Sequence, residues 1–359
     1  MIGKKIGGIV MKKKRVAVIF GGNSTEYDVS LESAYAVLTH MNREKYDIFP
    51  VGITRKGKWY HYSGDFENIR QDTWWKDEKH LALAIVSQDP SFGGFLVFYG
   101  EGWKKESVDL AFPVLHGKNG EDGTVQGLFT LADIPVVGCD TLASALCMDK
   151  DRAHILAHAA GVSVPKSVSF GRADREAGKG EIAAKLRCPI FVKPLRAGSS
   201  FGITKISSME ELENALDLAF ANDDWVIAEE AVDGFEVGCA ILGKEELTIG
   251  RVDEIELSTG FFDYDEKYTL KTSKIHMPAR ISPETEQRIQ KTAALIYRAL
   301  GCSGFARVDM FLTPSGEIVF NEVNTIPGFT SHSRYPNMMK GIGLSFEELL
   351  ERLLRLYEE

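Results

Sequence analysis

Two short runs near the C-terminus carry acid and base at strand spacing: ARVDMFL (306–312) and FNEVNT (320–325). Side chains alternate along a strand, so Arg307 and Asp309 share one face, and Glu322 and Asn324 share one face. The connecting TPSGE holds a Pro-Ser-Gly turn signal. With Ser315 and Gly316 as the two turn residues, Asp309 faces Glu322 and Arg307 faces Asn324, unless a bulge shifts the register. Carboxylates directly opposed on one sheet face repel each other, so something positive is expected between them. Asp309, Glu322 and Asn324 offer only oxygen ligands, a set that suits Mg²⁺ rather than zinc. The competing reading is a solvated charged hairpin face. On the metal reading, Asp309→Asn and Glu322→Gln each impair metal use far more than folding, because removing one acid relieves the repulsion.

A second constellation is PIFVKPLRAGSSFGITKI (189–206), a Gly-Ser-Ser-Phe-Gly loop between two strands with Lys193 ending the first. Small residues let backbone N–H groups approach phosphate oxygens, and the lysine adds a point charge. No G-x-x-x-x-G-K-[ST] loop is present, and a strand rather than a helix follows. A plain Gly/Ser turn is the alternative. A third is GGNSTEYDVS (21–30), a Gly-Gly loop before a helix. It lacks G-x-G-x-x-G, which disfavours a dinucleotide, but a helix N-terminus still favours an anion such as a carboxylate. Glu26 there could hold an ammonium, and an amino acid carries both charges. Stabilisation of the helix dipole by Glu26 is the simpler alternative.

The elements that position these residues follow from pattern. RVAVIF (15–20), the helical LESAYAVLTHM and YDIFPVGIT (46–54) form a β-loop-α-β unit with a parallel sheet. VDLAFPVL (108–115) and IPVVG (134–138) are expected as further strands, separated by the Gly-rich HGKNGEDGTVQGLFTLA leading into a helix. From Met148 come the helix DKDRAHILAHAAG, then KSVSF, a helix ending in KLRCP and the strand PIFVKP. Beyond Val226 the chain is strand-rich, flanked by helices over 284–301 and 346–357. The expected domains are 11–148, 149–236 and 237–359.

Composition bounds the function. At 359 residues, 44% hydrophobic and 26% charged, the chain reads as a soluble globular protein of two or three domains. A net charge of −9 disfavours broad phosphate neutralisation on nucleic acid. The five cysteines (139, 147, 188, 239, 302) have no C-x-x-C spacing, which disfavours a disulfide framework or zinc site and points to a reducing compartment. No run spans a bilayer. The opening MIGKKIGGIV has too short an apolar patch for a signal segment, and Met11 is a plausible natural start after a disordered tail. A cytoplasmic location is expected.

The ordered set GGNSTEYDVS, LHGKNGEDGTVQG, CMDK, FVKPLRAGSSFGITK, EEAVDGFEVG, FDYDEKY, ARVDMFL and FNEVNTIPGFTSHSRYP resembles the D-alanine–D-alanine ligase family of ATP-grasp enzymes from Lys14 onward. FGGNSTEYDVSLESA, GITRKGKWYHY and KYTLKTSKIHMPAR are similar to the VanG group of vancomycin-resistance ligases, which join D-alanine to D-serine. The resemblance implies an α/β ATP-grasp fold, with an N-terminal Rossmann-like parallel-sheet domain and two α+β lobes sandwiching ATP. It implies two Mg²⁺ ions, with Mn²⁺ as a substitute, held by Asp309, Glu322 and Asn324. Lys150 and Lys193 would contact the phosphates, Ser199 and its neighbours would cover them, and Glu229, Ala231, Val232 and Glu236 would line the adenine and ribose pocket. Glu26 and His116 would orient the first D-alanine, while Arg307 and the Gly328 N–H would stabilise the oxyanion. Ser333 would receive the second substrate's carboxylate, with Arg334 beside it. Lys267 and Tyr268 would lie in a mobile loop, about 257–277, closing over the site. A homodimer without nucleic-acid or membrane partners is also implied.

The chemistry implied is transfer of the γ-phosphoryl group of ATP to D-alanine, then attack by the second amino acid's amine. A neutral tyrosine at 268 favours an amide; relatives that form an ester carry histidine in this loop, whose cationic form repels an ammonium. The principal alternative is a housekeeping D-alanine–D-alanine ligase. A glutathione-synthetase-like ligase is disfavoured by HGKNGEDGTVQG and SHSRYP, and a binding module has no use for opposed acids beside a phosphate loop.

Overall fold

The computed structural model describes residues 13–198, 201–257 and 273–358. Two compact units emerge, one formed by the chain up to Thr141 together with Ile326 onward, the other by Leu142–Thr325. The C-terminal residues, grouped above with the 237–359 lobe, thus pack with the N-terminal sheet.

The first unit is built on a seven-stranded sheet in the order β6-β5-β4-β3-β2-β1-β7. Its parallel centre is β1 (Lys14–Gly21) between β2 (Tyr46–Ile53) and β7 (Leu110–Pro113). Val16–Phe20 is completely buried, as a strand covered on both faces must be. The sheet is extended by antiparallel strands that the sequence reading passed over: β3 (Trp59–Tyr62), β4 (Leu81–Val86), β5 (Gly94–Tyr99) and β6 (Gly102–Ser107). In β4, Ala82, Ala84 and Val86 are buried while Leu83 and Ile85 face outward. The expected strand IPVVG is reduced to a single parallel bridge, Ala111↔Val136; Pro135 lacks the N–H a longer ladder needs.

Helix α1 (Tyr27–His40) follows β1 through a glycine turn. Gly21 sits at φ +85, and a Cβ there would lie 2.2 Å from the Ile53 carbonyl oxygen, so only glycine fits. Short α2 (Glu67–Arg70) lies between β3 and β4, and α3 (Thr124–Leu131) follows the Gly-rich loop. The returning C-terminal segment supplies α9 (Arg334–Lys340) and α10 (Phe346–Arg355). α10 begins with a Ser345–Glu348 capping box and buries Leu349, Leu350, Leu353 and Leu354. Tyr46 donates to Glu358 at 2.6 Å and Tyr357 donates to the Gly138 carbonyl at 2.6 Å, tying this segment to the first sheet.

The second unit opens with α4 (Thr141–Met148) and α5 (Lys150–Ala159), the latter capped by Asp149, which accepts from the Arg152 N–H. A four-stranded antiparallel sheet follows in the order β10-β9-β11-β8, from β8 (Ser167–Gly171), β9 (Ile190–Pro194), β10 (Thr204–Ile206) and β11 (Trp225–Glu230). Helices α6 (Arg175–Lys185) and α7 (Leu212–Phe220) bury Ile182, Leu216 and Phe220 against Val192 and Val226. A five-stranded antiparallel sheet, β14-β13-β12-β15-β16, completes the unit: β12 (Phe235–Gly243), β13 (Leu247–Leu257), β14 (Ser273–His276), β15 (Gly304–Leu312) and β16 (Ile318–Asn324). Helix α8 (Pro283–Ala299) covers it with Ile289, Ala293 and Ile296 buried; its start has Pro283 in the first turn and Ser282 accepting from the Thr285 N–H.

Candidate active site

The acid hairpin has the expected register by an unexpected route. Asp309 pairs with Glu322 and Arg307 with Asn324. The turn, however, is one residue longer than the two-residue reading: Leu312 pairs with Ile318, and Gly316 takes φ +82 in the loop between. A bulge between Asp309 and Met310 leaves Asn321 without a Cα partner and restores the pairing beyond it. The positive charge expected beside these acids is supplied by Arg307. Its guanidinium clamps Asp309, Nε to Oδ1 at 2.9 Å and Nη2 to Oδ2 at 2.7 Å, and Asn324 Nδ2 donates to Oδ2 at 2.9 Å.

Asp309, Glu322 and the Asn324 amide oxygen form a hard-oxygen set with a net of two carboxylates. Among the described residues no cluster of three or more His, Cys, Asp or Glu could hold a metal alone. The set therefore fits an ion that takes one or two carboxylates and fills its shell from phosphates and water, which is the habit of Mg²⁺.

Beside the hairpin, a cavity of about 470 Å³ opens between the two sheets of this unit. Of the residues singled out in the sequence, Lys150, Lys193, Glu229, Ala231, Val232, Glu236 and Glu322 line it. Sequence reasoning missed Phe191, Ile203, Lys205, Glu254, Arg280 and Phe311, which also line it. Phe191 and Phe311 bring aromatic surface of the kind that takes a planar base. An aromatic at an alternating position in each of β9 and β15 was the available signal.

The lysines are held in place. Lys193 Nζ donates to Glu229 Oε2 at 2.5 Å, and Lys150 Nζ donates to the Ala197 carbonyl at 2.8 Å, at the entrance to the Gly/Ser loop. Burial pushes the Glu229 carboxyl up, but Lys193, His154 and Lys150 outweigh that and hold it below the ordinary carboxylate range. Glu254 is likewise lowered: burial raises it, and Arg280, donating from its side chain and backbone, more than reverses this. Ser199, Lys267 and Tyr268, with most of the expected closing loop, lie outside the described residues.

In the first unit the structure brings together Glu26, His116, Gly328 and Ser333. Glu26 is the residue before α1 and is buried; a Cβ on Gly117, at φ +69, would lie 2.3 Å from its Oε2. His116, also buried, bonds the Ile326 carbonyl through Nδ1 at 2.8 Å and Ser33 Oγ through Nε2 at 3.2 Å. Ser333 occupies the N-cap position of α9 without a side-chain capping bond; its Oγ accepts instead from the Thr330 N–H at 3.0 Å and lies 3.0 Å from where a Gly328 Cβ would be. Arg334 is the first residue of α9. Sequence reasoning missed Glu121. This buried carboxylate accepts from the Gly117 N–H at 2.9 Å and the Ile326 N–H at 3.0 Å, joining two segments far apart in the chain.

A nucleotide-sized cavity between two antiparallel sheets, with paired lysines and an oxygen-only acid face, is the architecture of an ATP-grasp ligase. The D-ala D-ala ligase N-terminus model matches residues 15–139 and the D-ala D-ala ligase C-terminus model residues 156–355. The crystal structure of VanG D-Ala:D-Ser ligase from Enterococcus faecalis is 66% identical, with a TM-score of 0.91, over 96% of this chain and 100% of that one. Vancomycin C-type resistance protein VanC1 of Enterococcus gallinarum is 45% identical over 96% of this chain and 99% of its own length. D-alanine–D-alanine ligase A of Escherichia coli K12 is 39% identical over 96% of each. The chain belongs to the D-alanine–D-alanine ligase family, whose members are ATP-dependent ligases acting on small amino-acid substrates and using magnesium. Among the described residues no helix is long and apolar enough to cross a membrane.

Proposed function

We propose that this protein is a D-alanine–D-serine ligase that makes D-alanyl-D-serine for peptidoglycan precursors and so supports vancomycin resistance. The observation that carries this reading is the 66% identity to VanG D-Ala:D-Ser ligase across nearly the whole chain. The housekeeping alternative is favoured by the 39% identity to a D-alanine–D-alanine ligase.

In this reading Glu26 receives the donor's ammonium and His116 orients it, while Phe191 and Phe311 take the adenine and Glu236 the ribose. Lys150 and Lys193 meet the phosphates with their ammonium groups, and Ser199 covers them. Asp309, Glu322 and Asn324 would hold Mg²⁺, two ions in all, which would neutralise phosphate charge. A donor carboxylate oxygen bonds to the γ-phosphorus and ADP leaves, giving D-alanyl phosphate; this step is chiefly positioning and charge neutralisation. The acceptor's amine then attacks the acyl carbon, phosphate leaves, and the amine loses a proton. Arg307 and the Gly328 N–H stabilise the oxyanion formed in between. Lys267 and Tyr268 belong to a segment that excludes water from the acyl phosphate, and Ser333 and Arg334 hold the acceptor's carboxylate. A homodimer in the cytoplasm is the expected setting.

Serine preference has a physical basis. A site that bonds the serine hydroxyl leaves a polar group unpaired when alanine enters, whereas an apolar site rejects an added hydroxyl only weakly. With ATP, D-alanine and D-serine at equal concentrations, D-alanyl-D-serine should be the dominant product, read by separating the dipeptides. Dominance of D-alanyl-D-alanine in that competition identifies the housekeeping ligase instead.

A further inference from the structure

Helix α5 carries a second buried polar residue one turn beyond Lys150. His154 is 3% exposed, and its Nε2 lies 2.9 Å from the carbonyl oxygen of Asn321, the residue that the bulge leaves without a Cα partner. A carbonyl only accepts, so Nε2 carries the hydrogen. Nδ1 points the other way, 3.8 Å from Glu229 Oε1. Among the described residues neither of these two buried atoms has a hydrogen-bond partner, although buried polar atoms are rarely left so. Phe320 meets the imidazole edge to face at 5.4 Å and fixes the ring plane.

We propose that His154 is a positioning residue of the nucleotide site, one imidazole that holds both the bulge presenting Glu322 and the carboxylate that holds Lys193. The Asn321 bulge sets Glu322 opposite Asp309, and the His154 bond satisfies the carbonyl that the bulge turns out of the ladder. Glu229 has one oxygen on Lys193 and the other toward Nδ1; a carboxylate only accepts, so with hydrogens on both ring nitrogens a small closure completes a chain from β16 through α5 to β9 and β11. Lys150 and His154, four residues apart, lie on the same side of the helix. Loss of the imidazole nitrogens therefore loosens a lysine and an acid of the same cavity together.

The inference rests on the nucleotide assignment of that cavity, and the test separates the two. Affinity for ATP, with and without Mg²⁺, is measured by calorimetry on the full chain for wild type, His154→Phe, His154→Gln, Glu229→Gln, the double variant His154→Phe/Glu229→Gln, and Phe311→Ala. Phenylalanine keeps the packing on Phe320 and removes both nitrogens. His154→Phe should weaken ATP about tenfold, the worth of one hydrogen bond to a charged group, with the KM for D-alanine unchanged. Its effect should shrink in the Glu229→Gln background, since the two groups act as a unit. His154→Gln, which retains one donor for Asn321, should fall between. It also carries the test should His154→Phe not fold: ATP affinity at the wild-type value in His154→Gln then overturns the proposal. Wild-type ATP affinity in His154→Phe, or strict additivity with Glu229→Gln, overturns it while Phe311→Ala still weakens ATP. If Phe311→Ala also leaves ATP binding untouched, the nucleotide assignment fails and the inference with it.

Discussion

Replacing either acid of the hairpin was expected from sequence to spare folding, because opposed carboxylates repel. The geometry splits that expectation. Asp309 is 1% exposed and is held by two guanidinium nitrogens of Arg307 and by Asn324 Nδ2. In Asp309→Asn the new amide group points hydrogens at donors, and the carboxylate charge that the mostly buried Arg307 clamps is lost. Breaking a buried pair from one side costs about 3–5 kcal/mol. At roughly 2–4 °C per kcal/mol for a unit of this size, the thermal midpoint should fall by at least about 6 °C. Glu322 is half-buried at the cavity wall, and Glu322→Gln keeps its shape, so its stability change should stay within about 1 kcal/mol. Both variants should need far more Mg²⁺ for ADP release from ATP and D-alanine. Calorimetric melting of the two proteins, paired with a Mg²⁺ titration of turnover, checks this. Equal midpoints for Asp309→Asn and wild type would refute the clamp; wild-type turnover at limiting Mg²⁺ in either variant would refute the metal face.

Glu229 gives a pH prediction whose sign follows from its lowered folded value. Its contribution to stability is complete above the ordinary glutamate value of about 4.3 and is lost as pH falls through the lower folded value. Glu229→Gln should therefore lose stability at neutral pH and show a flatter acid limb in melting scans from pH 7 down to pH 3; an acid limb as steep as wild type counts against the Lys193 pairing. Glu121→Ala strips the acceptor from two buried N–H groups, Gly117 and Ile326, and should cost about 3 kcal/mol and raise the KM for D-alanine more than that for ATP. An ATP-first effect in steady-state kinetics would contradict that placement.

How legible these features were depended on the range of the interaction that defines them. β1, β2 and the acid hairpin announce themselves through local alternation and apolar runs, and Ser-Pro and Ser-x-x-Glu starts mark α8 and α10. The outer strands did not, because β6 is exposed almost throughout and carries no alternation to read. Glu121 and His154 act through partners 205 and 167 residues away in the chain, Ile326 and Asn321, and no local pattern encodes such a pairing. The hairpin was read correctly at Asp309 and Glu322 only because two departures cancel: the turn is one residue longer than expected, and the bulge absorbs one.

The return of the last segment to the first sheet bears on how the chain is made. A ribosome delivers β1, α1 and the Gly-rich loop early, yet Glu121 and His116 cannot complete their bonds to Ile326 until the intervening Leu142–Thr325 has been synthesised. The later-emerging unit is continuous in sequence and can close on itself first, whereas the earlier one must wait with Tyr46 and Gly138 unmet by Glu358 and Tyr357. Domains fold as units during synthesis, so the order of completion here runs opposite to the order of translation, and the segment around His116 and Glu121 is the last to gain its full set of bonds.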